Sequence, residues 1–143
     1  MNIREVSAAD VDAIIKIDAE ISDAAKPQYW HDALEKYHSR KEDGFFLIAE
    51  QNEQVVGFII GEIRAWEFGS PPCGWVFVIG VKKEKRLSGI GTRMLDALCE
   101  CFRQRGITRV RTMIARQDHE LLAFFRSHGM LAGPYQQLEK NLD

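Results

Sequence analysis

The stretch from Val76 to Phe102 constrains the fold more than any other part of the chain. It reads V-F-V-I-G-V-K-K-E-K-R-L-S-G-I-G-T-R-M-L-D-A-L-C-E-C-F. An apolar run of strand length comes first, then a short charged connection, then glycines opening an amphipathic helix. Val76 to Val81 is β-branched and aromatic, bounded by Gly74 and by lysines, and so predicts a strand. From Ile90 the apolar residues recur at Met94, Leu95, Leu98, Cys101 and Phe102, which is helical spacing, and Gly106 supplies the stop.

Between strand and helix lies Arg86-Leu87-Ser88-Gly89-Ile90-Gly91-Thr92. The first turn of a helix leaves backbone N–H groups unpaired, and the aligned peptide dipoles make that end electropositive. Glycines at 89 and 91 remove side chains that would hold a ligand away from those donors. Thr92 adds a hydroxyl, and Lys83, Lys85 and Arg86 add positive charge. The expected product is a cradle for a phosphate or diphosphate. The competing reading is a tight turn with close helix–strand packing. A nucleotide P-loop requires Lys-Ser/Thr after its last glycine, whereas Gly91 is followed by Thr92-Arg93; G-x-G-x-x-G fails at Met94.

The pattern R-x-x-G-x-G after a strand ending in valine resembles the acyl-CoA pyrophosphate loop of the GNAT superfamily of N-acetyltransferases. A second segment, Asp118 with Phe125 and Gly129-Met130, is similar to the family's Asn…Tyr…Gly-Phe segment, with Asp, Phe and Met as departures.

The remaining segments fall in the order that such a fold would need. Asn2 to Val6 alternates as a first strand, and Ser7 with Asp10 forms a near capping box before a helix carrying Val11, Ile14 and Ile15. A second helix is expected from about Gln28 to Arg40. Phe45 to Glu50 and Gln54 to Arg64 read as a hairpin across Gln51-Asn52-Glu53. Thr108 to Ala115 is a further strand, Asp118 caps a helix from His119 to His128, and two short strands are expected around Gly133-Pro134. The predicted order is β-α-α-β-β-β-α-β-α-β-β. It describes a mixed α/β (α+β) fold with a central, mostly antiparallel sheet of about six to seven strands flanked by helices.

Residues 1–143 are expected to form a single domain. A formal net charge of −2 argues against non-specific nucleic-acid binding, and the chain holds no apolar run long enough for a membrane span. Three cysteines without metal-ligand spacing, and an N-terminus without a signal-peptide layout, point to a cytoplasmic protein with no metal.

The resemblance implies acetyl-CoA, or another short acyl-CoA, as donor and an amine as acceptor. It implies that the backbone of Ile79, Gly80 and Val81 lies along the acyl group and pantetheine, with a bulge there that Gly80 would suit. It implies diphosphate contacts from Arg86, Leu87, Ser88, Gly89, Ile90, Gly91 and Thr92, with Asp118 and Phe125 on the pantetheine side. Phe125 stands where the family has a thiolate-protonating tyrosine, and Tyr135 or water would have to substitute. Glu62 and Glu67 are the carboxylates placed to serve as general base, each alternatively a solvated surface group. Trp30, Trp66 and Phe68 are either pocket or core. A homodimer through exposed final strands is a further expectation. The alternative function is a non-catalytic acyl-CoA-binding or regulatory module on the same fold.

Overall fold

Apolar runs of strand length in the first half of the chain build a meander. The strands are β1 (Asn2–Glu5), β2 (Gly44–Gln51), β3 (Gln54–Arg64), β4 (Cys73–Val81) and β5 (Val110–Thr112), and they lie side by side in sequence order. The first four are antiparallel; β5 joins β4 in parallel. The computed structural model describes all 143 residues, in two compact units, Met1–Thr112 and Met113–Asp143.

Within the first unit, β2 and β3 are joined by a two-residue turn with φ of +53° at Asn52 and +63° at Glu53, the handedness that matches strand twist. Helices α1 (Val11–Ser22) and α2 (Pro27–Ser39) cover one sheet face. Ile14, Ile17, Trp30 and Leu34 pack there on Phe46, Ile48 and Phe58. Trp30 is therefore core, and its indole N–H donates to Asp18 Oδ2 at 3.0 Å, which satisfies a buried polar group. Lys26 reaches the same carboxylate at 3.1 Å.

Helix α3 (Ile90–Gln104) packs on the opposite face through Ile90, Met94, Leu95, Leu98 and Phe102. Its approach is close enough to require a missing side chain: a Cβ at Gly74 would fall 2.6 Å from the Phe102 ring. Cys99 and Cys101 are half-buried on this helix, and burial pushes both thiols up, which fits packing rather than reactivity.

At the start of the chain, Arg4 forks between two carboxylates. It donates to both oxygens of Asp10 at 2.8 Å and to Glu50 Oε2 at 2.8 and 3.0 Å. Asp10 also accepts from the Ser7 N–H at 2.7 Å, closing the capping box expected there. The Arg4 guanidinium and these hydrogen bonds, acting against burial, hold the Asp10 carboxyl below the usual carboxylate range. A depressed folded value means that the contribution is complete above the ordinary carboxylate pKa and is lost as pH falls through the folded one. Arg4→Ala is expected to cost about 1–3 kcal/mol at pH 7. In urea titrations the gap from wild type should narrow below about pH 4; a gap independent of pH would contradict the assignment.

The second unit contains α4 (His119–Ser127), capped by Asp118, whose Oδ1 accepts from the Leu121 N–H at 3.1 Å. Gly129, at φ +82°, ends it as expected, with the Met130 N–H returning to the Phe125 carbonyl at 3.1 Å.

Three expectations are corrected. The sheet has five strands, not six or seven, because residues 130–143 form none. That segment, M-L-A-G-P-Y-Q-Q-L-E-K-N-L-D, offers no alternating apolar face, and Pro134 has no N–H to give a ladder. The fifth strand spans Val110–Thr112 rather than Thr108 to Ala115, its ladder ending at Val76–Thr112. The bulge in β4 is at Phe77, not Gly80: Ile60 pairs with Val78 and Gly61 with Val76, leaving Phe77 as the extra residue. Gly80 is glycine for another reason, since a Cβ there would meet the Phe58 ring at 2.7 Å.

Candidate active site

The turn from β4 into α3 is built from unusual backbone. Lys83–Lys85 forms one 3-10 turn, Leu87 takes φ +63° and is fully exposed, and Gly89 takes φ +86° as the N-cap of α3. The Ser88 hydroxyl donates to the Lys85 carbonyl and braces the turn. A Cβ built on Gly89 meets nothing within 4 Å, so this side of the turn is open space in front of the helix end. The amides of the first turn of α3 have no carbonyl one turn earlier in the helix to accept them. Residues 82–93 carry Lys82, Lys83, Lys85, Arg86 and Arg93 against the single acid Glu84. Open backbone donors, a helix dipole and excess positive charge converge, which is the chemistry that holds a diphosphate.

Behind the turn, β4 has a free edge. The Lys82 N–H donates to the Val56 carbonyl at 2.9 Å, so alternation directs the main-chain groups of Val78 and Gly80 toward β3 as well. Those of Ile79 and Val81 therefore point to the other edge, where β5 has already ended. The last carbonyl of that ladder, on Val76, accepts from the Thr112 hydroxyl at 2.9 Å. An N–H donor on an unpaired strand edge can polarise a carbonyl oxygen without any special side chain.

Glu62 lies directly across from Trp75, and both are half-buried. Two residues on, Arg64 donates to Glu67 Oε1 through Nε at 2.8 Å and Nη2 at 2.7 Å, and its Cζ lies 5.8 Å from the centre of the Phe77 ring. Glu67 is thus a paired carboxylate, whereas Glu62 has no hydrogen-bond or ion-pair partner. Arg64, Glu62 and Phe77 share a face, and it is the α1–α2 face, since Ile60 and Val78 pack there. The bulge sets Phe77 beside Val78 on that face, where regular alternation would turn it away. Trp66 and Phe68 are exposed, outside the core.

The structure therefore brings Ile79, Gly80 and Val81 into line with Arg86 to Thr92, and places Glu62 on the same strand pair. Asp118, Phe125 and Tyr135 belong to the second unit. There Asp118 serves as a helix cap, Phe125 is buried with the Phe124 ring 5.2 Å away, and Tyr135 is half exposed. Sequence reasoning missed Phe77 and Arg64. The one available signal was the unbroken run Val76-Phe77-Val78-Ile79, whose lack of alternation hid an inserted residue.

A meander of this order, with a bulged fourth strand running through a glycine turn into a helix, defines a class of acyl-transfer folds. The chain belongs to the acetyltransferase (GNAT) family, whose model matches residues 11–130. It is 28% identical over 132 residues to a mycothiol acetyltransferase of Saccharomonospora viridis, covering 87% of this chain and 43% of that protein. It is 35% identical over 98 residues to an N-acetyltransferase of Methanocaldococcus jannaschii, covering 68% of this chain and 56% of the relative. The chain thus spans about half the length of these two relatives. Its fold matches the aminoglycoside 6'-N-acetyltransferase AAC(6')-IG of Acinetobacter haemolyticus over 100% of both chains, with a TM-score of 0.83 at 19% identity. It matches equally a transcriptional regulator of Bacillus halodurans, with a TM-score of 0.82 at 17% identity and 99% of each chain covered. No helix is long and apolar enough to cross a membrane.

Proposed function

We propose that this chain is an acyl-CoA-dependent N-acyltransferase that passes acetyl from acetyl-CoA to a primary amine by direct attack in a ternary complex. The observation that carries this reading is the open, cation-rich turn at Gly89 opening α3, set at the end of a strand with an unpaired edge. The amides from Leu87 to Thr92 hold the diphosphate, with Arg86 beside them. The Ile79 and Val81 backbone aligns the pantetheine and thioester, and one of its N–H groups takes the growing negative charge on the carbonyl oxygen.

Attack requires a neutral amine. Glu62 accepts the ammonium proton directly or through water; the nitrogen then forms its bond to the acyl carbon as the carbon–sulfur bond breaks. The departing thiolate takes its proton from solvent. Family membership and acetyltransferase relatives support the reaction class.

Titration calorimetry with CoA and ATP in parallel, followed by single-turnover thiol release from acetyl-CoA over an amine panel, tests the reading. CoA should bind and ATP should not. Glu62→Gln should lower kcat/KM at least tenfold at pH 7 while CoA affinity holds. CoA binding without transfer to any amine would instead favour a non-catalytic acyl-CoA-binding module.

A further inference from the structure

A cavity of about 530 Å³ opens beside α1, at the end of the sheet where β2 turns into β3 and β4 finishes. Every residue that lines it belongs to the first unit. One wall is the Arg4 network. All the N–H donors of Arg4 are engaged there: Nε and Nη2 on Glu50 Oε2, Nη1 and Nη2 on Asp10, and Nη1 also on the Glu5 carbonyl. The guanidinium has nothing left to give a ligand. Glu50 does: both of its bonds fall on Oε2, and no buried side-chain oxygen goes without a hydrogen bond, so Oε1 is open to solvent. Its partner oxygen holds that acceptor in place.

The opposite wall carries Lys82. Alternation sets it on the α1 side of the sheet with Val78 and Gly80, and its N–H is tied to the Val56 carbonyl at 2.9 Å. Lys82 is half-buried, yet no hydrogen bond or ion pair engages its ammonium. Lysine is rarely withdrawn from water without a counter-charge. Glu50 pairs with Val55 on β3 and Lys82 lies beyond β3, so their backbones stand two strand spacings apart, roughly 10 Å. Val55 gives the space between them an apolar floor, and Ala13 of α1 leaves it room. Exposed Lys16, Asp12 and Glu53 complete the rim, so the lining carries three cations against four carboxylates.

We infer that this cavity binds a free amino acid with an aliphatic side chain. Its ammonium group meets Glu50 Oε1, its carboxylate meets Lys82, and its side chain lies over Val55. The balance of charge selects this class. A phosphate dianion would confront four acids, whereas a plain amine would leave Lys82 without a counter-ion. A zwitterion makes a charge-assisted hydrogen bond at each end, and neither an amine nor an acid alone makes both. None of Ile79, Glu62 and Gly89 lines the cavity, so the inference does not rest on the acyltransferase reading.

Calorimetric titration of the whole chain with leucine, leucine methyl ester and N-acetylleucine tests it. The ester lacks the carboxylate charge and the acetyl derivative lacks the ammonium, while the side chain stays the same. Leucine should bind with a Kd of about 1 mM or tighter. Both derivatives should bind at least about tenfold more weakly. Lys82→Met, which keeps the length of the side chain and removes its charge, should weaken leucine binding by a similar factor, with a melting curve showing that the variant is folded. Should that variant not fold, the two derivatives decide the matter on the unaltered chain. No leucine binding at about 10 mM, either derivative binding as well as leucine, or affinity unchanged in a folded Lys82→Met would each overturn the inference.

Discussion

Gly89→Val is expected to weaken CoA binding about 10- to 100-fold, while the thermal midpoint changes by a few degrees. The two effects separate because of where Gly89 sits. Its φ of +86° is one that a β-branched residue enters only with strain, and no neighbouring atom lies within 4 Å of an added Cβ. A valine therefore has room but not the right backbone. It either rotates the peptide that aims the first amides of α3 or keeps the geometry and projects its methyls into the space before the helix end. Both outcomes strike the anion site, and neither opens a core cavity. Calorimetric titration with CoA, paired with a melting curve, checks it. Unchanged affinity in a folded variant would mean that the diphosphate is held elsewhere.

Phe102→Ala is expected to destabilise the fold by about 3–5 kcal/mol, the usual range for emptying a buried phenylalanine site. That corresponds to a fall in the thermal midpoint of roughly 10 °C or more. Phe102 is fully buried at the end of α3, its ring meets Phe45 edge-on at 5.5 Å, and the backbone of Gly74 lies against it. Gly74→Ala should be destabilising by about 1–3 kcal/mol, because the new methyl cannot coexist with a ring carbon 2.6 Å away and the ring is walled in. In the double variant the methyl enters the space vacated by the ring, so the loss should be smaller than the sum of the single losses. A double-mutant cycle by urea denaturation reads that coupling directly. Strict additivity would show that Gly74 is constrained by something other than the ring.

How much of this was legible in the residues depends on how local each feature is. The strand–turn–helix unit was, because its signals lie within one continuous segment. Ile90, Met94, Leu95, Leu98 and Phe102 are the buried face of α3 as their spacing predicts, with only Cys101 left half-buried. Helix ends at Gly106 and Gly129 were legible for the same reason, both glycines taking positive φ. Features set by a neighbouring strand were not. Gly80 carries the look of a bulge in its residue type, but the Phe58 ring that demands a glycine there lies on β3, and the extra residue is Phe77. The closing strands failed similarly: a few apolar residues near Gly133-Pro134 suggest strand, while the segment has no alternating apolar face and Pro134 gives no N–H to a ladder. Trp30 stood open between pocket and core until the Asp18 carboxylate under its indole decided the matter.

In the candidate site, the geometry of the glycine turn was legible and that of the β3–β4 pair was less so. The Gly89 turn is shaped by its own backbone, whereas the surroundings of Glu62 depend on Arg64 being held by Glu67 and on which way Phe77 turns.

The extra residue at Phe77 also divides β4 into two pieces that are out of phase with each other. Removing it would leave a strand of ordinary appearance in which every side chain from Cys73 to Val76 had changed sides, setting Cys73 and Trp75 against α3 where Gly74 and buried Val76 belong. A chimera joining the front half of this strand to the back half of a relative's must therefore count residues from the insertion outward, or it will turn the interior of the protein toward water.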